Sequence, residues 1–205
     1  MLTRLKQKVQ QMLTAEARAA HKIRLTPNMI SIIGVALAFL AALTYSLWQN
    51  RPIYLLCATA LLLLSGFCDA LDGVVARLFG KTTVFGGFMD SLLDRYADAV
   101  VYMGIIIGGL CDALWGIVAI VGSLLVSYSR ARAEAAGIKM ESIGLAERAE
   151  RMIILAVASL AAIFWQPTTM VGAAIILLAI LSNLTVLQRG VHVYNKSKKT
   201  EINRS

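Results

Sequence analysis

The 205-residue chain is 58% hydrophobic and only 16% charged, with a mean hydropathy of +0.70, outside the range of ordinary soluble domains. Once uncharged stretches of about 20 residues are assigned as membrane spans, too little chain is left for a separate water-soluble catalytic domain, so any chemistry sits within or beside the bilayer. The excess of 20 Lys and Arg over 12 Asp and Glu, net +8, then reads as topology and attraction to anionic headgroups, and nucleic acid is not an expected partner.

Taken in chain order, residues 2–20 place Leu2, Leu5, Val9, Met12 and Leu13 at helical spacing, with Arg4, Lys6 and Lys8 between them. This pattern predicts an amphipathic helix lying in the membrane interface, within a juxtamembrane segment 1–24. Leu25-Thr26-Pro27-Asn28 has the form of a helix start, with Thr26 as cap and Pro27 in the first position. No cleavable signal is expected, since the first strongly apolar run begins near residue 28 without a small-residue cleavage site after it. Uncharged runs at 28–50, 52–68 and 113–129 are read as spans. The run 152–188 is long enough for two, broken at Gln166-Pro167-Thr168. A further span must connect Gly86 to about Leu110, although Asp90, Asp94, Arg95 and Asp98 stand in its first turns. The expected fold is therefore an all-α polytopic membrane protein: six transmembrane helices in a domain 25–195, followed by a flexible basic tail 196–205 with Lys196, Lys198 and Lys199.

Basic residues support that count. Eighteen of the 20 fall at 1–24, 77–81, 130–151 and from Arg189 onward, leaving Arg51 in an opposite-side loop and Arg95 at the charged start of the third span. Both termini are predicted to be cytoplasmic, in a plasma-membrane protein. Cys57, Cys68 and Cys111 lack CxxC spacing and read as packing residues. His21 and His192 read as solvated or headgroup-facing. Asn183-Leu184-Thr185 fits the glycosylation sequon but lies inside the last span, out of a transferase's reach.

An acidic residue at the centre of a spanning helix costs on the order of 3 kcal/mol, so acids at membrane depth are functional candidates. Asp69 and Asp72 end the second run, and Asp90 and Asp94 begin the third span; spacings of three and four place each pair on one helix face. Without a cation the four would repel one another and some would be protonated. All-oxygen ligands favour Mg²⁺ or Mn²⁺, and four carboxylates suffice to bridge two ions in a phosphoryl transfer. Gly73, Ala76, Gly86 and Gly87 allow close approach of a backbone or flat ligand, and Arg77 offers a planar phosphate donor. Two other readings stay open on spacing alone: an ion or metal transport path, and structural pairing of the acids with Arg77 and Arg95.

A second cationic group lies at the cytoplasmic helix ends. Arg130 ends the fourth span, Arg148 begins the fifth and Arg189 ends the sixth, and three arginines suit one phosphate dianion better than a neutral alcohol. The bland alternative is that they, and Arg151, enforce topology or touch lipid phosphates.

Read continuously, Asp69-x-x-Asp72-Gly73-x-x-Ala76-Arg77, eight residues, then Gly86-x-x-x-Asp90-x-x-x-Asp94 resembles the signature of the CDP-alcohol phosphotransferases at every fixed position. The six-span plan, the amphipathic N-terminal helix and the Thr26-Pro27-Asn28 opening are similar to that family as well. The resemblance implies transfer of a phosphatidyl or archaetidyl group from CDP-diacylglycerol or CDP-archaeol to an alcohol with release of CMP, in a homodimer. It implies metal ligation by Asp69, Asp72, Asp90 and Asp94, with Asp94 also the general base. CDP-lipid would be bound by Asn28, Asp69, Gly73, Ala76, Arg77 and Gly86. It assigns Asp98 no role. The string Ser127-Tyr128-Ser129-Arg130-Ala131-Arg132-Ala133-Glu134, with Glu147-Arg148, resembles the branch that accepts inositol phosphate, the phosphatidylinositol phosphate and archaetidylinositol phosphate synthases. Bacterial members often place Lys where Arg130 stands. Arg130, Arg148 and Arg189 would then hold the acceptor phosphate, with glycerol 3-phosphate as the alternative acceptor.

Overall fold

The computed structural model describes residues 12–51, 53–140, 143–145 and 147–202, with side chains as far as Lys198. Leu2, Leu5 and Val9, with Arg4, Lys6 and Lys8, lie outside the described residues. Seven α-helices account for nearly all of the rest, and the described residues contain no strand. They are α1 Thr14–Lys22, α2 Pro27–Ser46, α3 Ile53–Leu78, α4 Val84–Ile107, α5 Ala113–Ala135, α6 Arg148–Ala161 and α7 Pro167–Ile202. The chain divides into two compact units, Met1–Gly108 and Gly109–Ser205.

In the first unit, α1 turns Leu13, Ala17 and Ala20 inward at one-turn spacing, against Leu71, Val74 and Val75 of α3 and Ile30 of α2. The amphipathic face therefore covers the end of α3. His21 belongs to the same contact, half-buried with its ring stacked on Phe79 at 3.8 Å, a neighbour that the sequence alone did not show. The chain then reverses at Arg24, in the left-handed region at φ +61. Arg24 N–H donates to the His21 carbonyl and Leu25 N–H to that of Ala20, both at 3.0 Å, the paired bonds of a Schellman closure. Helix α2 starts as predicted: Thr26 Oγ1 accepts from Met29 N–H at 3.3 Å, and Pro27 sits in the first turn.

Small residues bring α2 close to both neighbours. Its buried face is Gly34, Ala38, Ala41, Ala42 and Tyr45, and a Cβ on Gly34 would lie 3.1 Å from Cys68 Cβ of α3. Gly104 of α4 and Gly108, its C-cap, form a GxxxG pair on which any Cβ would run into the α2 backbone, at Ala42 and Tyr45. The Gly108 carbonyl accepts from Trp48 Nε1 at 2.7 Å and Gln49 Nε2 at 3.2 Å, which satisfies the end of α4.

In the second unit, Asp112 caps α5, accepting from Leu114 N–H at 3.0 Å. Helix α5 packs along α7 at Gly122, whose added Cβ would meet Asn183 Nδ2 at 2.7 Å. That amide donates to the Ala179 carbonyl at 2.8 Å, so the sequon asparagine sits in a helix-packing contact. Helix α6 ends at Ala161 and α7 begins at Pro167, where the Gln-Pro-Thr break was read. Segment 143–145 is held to α7: Leu145 N–H donates to Thr185 Oγ1 at 3.1 Å, and Arg189 Nε to the Ile143 carbonyl at 2.9 Å.

Helices α2, α3, α5 and α7 are long and apolar enough to cross a membrane. They also leave large apolar side chains such as Ile32, Phe39, Leu64, Ile117 and Leu177 exposed, as lipid-facing surfaces do. The protein is an integral membrane protein. Of the two remaining expected spans, α4 carries four charged residues, Asp90, Asp94, Arg95 and Asp98, and α6, with 14 residues, is about 21 Å long at 1.5 Å per residue. Three helices outrun their apolar runs. Helix α3 continues to Leu78, α5 to Ala135 and α7 to Ile202, because helical bonding needs backbone partners and no breaker, and not an apolar environment. Arg189 is thus not at a helix end as expected; it lies well inside α7. Cys57 is exposed on α3, while Cys68 and Cys111 are half-buried, and all three are free thiols.

Candidate active site

The continuation of α3 past its apolar run carries Asp69 and Asp72 as part of the helix. Asp72, three residues on, is 4% exposed. Thr83 caps α4, its Oγ1 accepting from Gly86 N–H at 2.9 Å, and about two turns later Asp90 enters the same region. One carboxylate oxygen from each of Asp69, Asp72 and Asp90 lies within 4.8 Å of the others. Three carboxylates so close are stable as anions only with compensating positive charge. The donor set, all carboxylate oxygen with one deeply buried member, fits a hard divalent cation. Asp94, one turn beyond Asp90 and half-buried, is outside that set of three.

The other residues expected at the CDP-lipid pocket fall into two contacts. Arg77 folds back over Gly73, so that a Cβ there would come within 3.2 Å of the guanidinium; glycine is what lets the planar group lie against the helix, one turn after Asp69 and next to Asp72 in the chain. Asn28 lies beside Gly86, whose added Cβ would stand 3.4 Å from Asn28 Oδ1 and 2.9 Å from Thr83 Oγ1. Ala76 is half-buried one turn after Asp72. Sequence reasoning missed Ser31: its Oγ donates to Asp72 Oδ2 at 2.5 Å. Its position three residues after Asn28, on the same helix face, was the available signal.

The arginines belong to the second unit. Arg189 is 3% exposed and donates to the backbone carbonyls of Ile143 and Val126, so part of its hydrogen-bonding capacity holds the chain. Arg130, Glu134, Glu147 and Arg151 are the charged groups near enough to act on it. Arg130 pairs with Glu134 at 2.9 Å on the exposed side of α5. Arg148 is half-buried at the first position of α6, where Glu150 closes the turn by accepting from Glu147 N–H at 2.7 Å. Arg151, read in the sequence chiefly as a residue that enforces topology or touches lipid phosphates, is 4% exposed. Arg130 and Arg151 thus lie near enough to Arg189 for their like charges to act on it.

The fold and the acids together define an all-helical membrane protein with a group of carboxylates on two helices suited to a divalent cation. The family model of the CDP-alcohol phosphatidyltransferases matches residues 24–187, and the chain belongs to that family of enzymes. It is 40% identical over 202 residues to the archaetidylinositol phosphate synthase of Pyrococcus horikoshii, covering 98% of this chain and 100% of that protein. The fold is similar to the crystal structure of Mycobacterium tuberculosis phosphatidylinositol phosphate synthase with CDP-DAG bound, with a TM-score of 0.76 at 28% identity over 90% of this chain and 94% of that one. The same enzyme in complex with manganese and citrate gives a TM-score of 0.76 at 28% identity, covering 89% and 88%.

Proposed function

We propose that this enzyme transfers the archaetidyl or phosphatidyl group of a CDP-linked lipid to inositol phosphate, releasing CMP. The observation that carries the reading is the convergence of Asp69, Asp72 and Asp90 from two helices within one signature. The names and bound ligands of its relatives supply the donor and the acceptor. Asp69, Asp72, Asp90 and Asp94 would hold Mg²⁺ or Mn²⁺, in a pair of ions, and the chemistry supplied there would be charge neutralisation of the pyrophosphate and of the departing CMP.

Every other part is played by the chain. Asn28, Asp69, Gly73, Ala76 and Gly86 shape the nucleotide pocket, and Arg77 donates to the phosphates. Asp94 accepts the proton of the acceptor hydroxyl as its oxygen attacks the lipid-side phosphorus in line. Arg130, Arg148 and Arg189 receive the acceptor's phosphate dianion. The enzyme crosses the plasma membrane six times, α4 and α6 included, with both termini cytoplasmic, as the distribution of basic residues supports. It works as a homodimer, with segment 1–24 as a juxtamembrane helix, 25–195 as the catalytic domain and 196–205 as a lipid-attracted tail.

The test is CMP release by the purified protein with Mg²⁺ or Mn²⁺ and either CDP-archaeol or CDP-diacylglycerol. Release with inositol phosphate, and not with inositol or glycerol 3-phosphate, is the expected outcome. Release with glycerol 3-phosphate alone would overturn the acceptor, and ion flux into proteoliposomes without CMP release would overturn the reaction.

A further inference from the structure

Ser31 stands on the second turn of α2, and its hydroxyl carries one proton with two acceptors in reach. One is the Pro27 carbonyl at 3.1 Å, the local partner open to any helical serine; the other is Asp72 Oδ2 at 2.5 Å, across to α3. The shorter contact, to a carboxylate, is the stronger one. Asp72 is also the most buried of the three converging acids, so its orientation is set by protein partners and not by water. A carboxylate has room for about four such interactions; a bond from Ser31 leaves capacity for a cation.

We infer that Ser31 is a positioning residue for the metal site, holding the Asp72 carboxylate in the orientation in which it joins Asp69 and Asp90. The inference rests on the metal-dependent reading above and deepens it. Partners that orient a ligand in this way contribute about 10–100-fold to metal affinity. The start of α2, set by Thr26 and Pro27, thereby acts on the acids of α3. Ser31 touches neither donor nor acceptor in this assignment.

The experiment is a Mn²⁺ titration of the full-length protein in detergent, followed by electron paramagnetic resonance, on the unmodified chain and on Ser31→Ala, Ser31→Thr and Asp72→Asn. Ser31→Ala is expected to weaken Mn²⁺ binding about ten-fold or more. KM for CDP-lipid, measured at saturating Mn²⁺, should stay close to that of the unmodified chain. Ser31→Thr, which keeps the hydroxyl, should recover most of the affinity. Unchanged Mn²⁺ affinity in Ser31→Ala would overturn the proposal, as would a loss found wholly in KM for CDP-lipid, which would make Ser31 a nucleotide contact. If Asp72→Asn binds Mn²⁺ like the unmodified chain, the metal site itself is misassigned, and the role of Ser31 falls with it.

Discussion

Asp94 sits one turn past Asp90 on α4, outside the three carboxylates whose oxygens meet within 4.8 Å. A proton acceptor has to keep an oxygen for the incoming hydroxyl, and that offset suits the task. Asp94→Asn is expected to lower kcat at least about 100-fold, the usual worth of a positioned base. The protein should still fold and still bind Mn²⁺ through the remaining acids; turnover close to the original would remove Asp94 from the role. At this scale the acids were legible because chemistry restricts which residue types can do the work, and spacings of three and four imply a shared helix face. Ser31 was not legible. A serine in an apolar run is common, and only the crossing of α2 with α3 shows that its hydroxyl meets Asp72. Arg189 shows the converse: its sequence position implied a helix end, whereas the helix runs on and the guanidinium holds the Ile143 and Val126 carbonyls.

Helix starts could be read from local rules. Thr26 and Pro27 open α2, Asp112 caps α5, and Pro167 opens α7, since a cap requires nothing beyond its own first turn. Helix ends could not, because hydropathy marks where lipid begins and not where hydrogen bonding stops. Contacts between helices depend on small residues, and Gly104 is the strictest case: a Cβ there would run into the Ala42 backbone. Gly104→Val is therefore expected to force α4 away from α2, at a cost of roughly 1–3 kcal/mol or more, as overpacking does. The measurement is the thermal unfolding midpoint in detergent, compared with Gly87→Ala, where no atom lies within 4 Å of the added Cβ. Equal midpoints would contradict the close crossing.

For the whole molecule, the acidic cluster belongs to one compact unit and the arginines to the other; in the proposed reading the arginines hold only the acceptor's phosphate. Arg148→Ala is accordingly expected to raise KM for inositol phosphate about ten-fold or more, the usual cost of losing a hydrogen bond to a charged group. KM for CDP-lipid should barely change; an equal rise in both would contradict that reading. The sequence by itself determined that the protein is helical and membrane-embedded, which residues can carry its chemistry and where several helices begin. Each of those follows from side-chain type and short-range periodicity, which act within a few turns. Only the tertiary structure decided that three of the four acids converge, that Ser31 holds one of them, that α1 covers the end of α3 through His21 and Phe79, and that Arg189 serves the backbone. These depend on how closely helices approach and how they are rotated about their axes, which is set by glycine and alanine contacts between residues far apart in the chain.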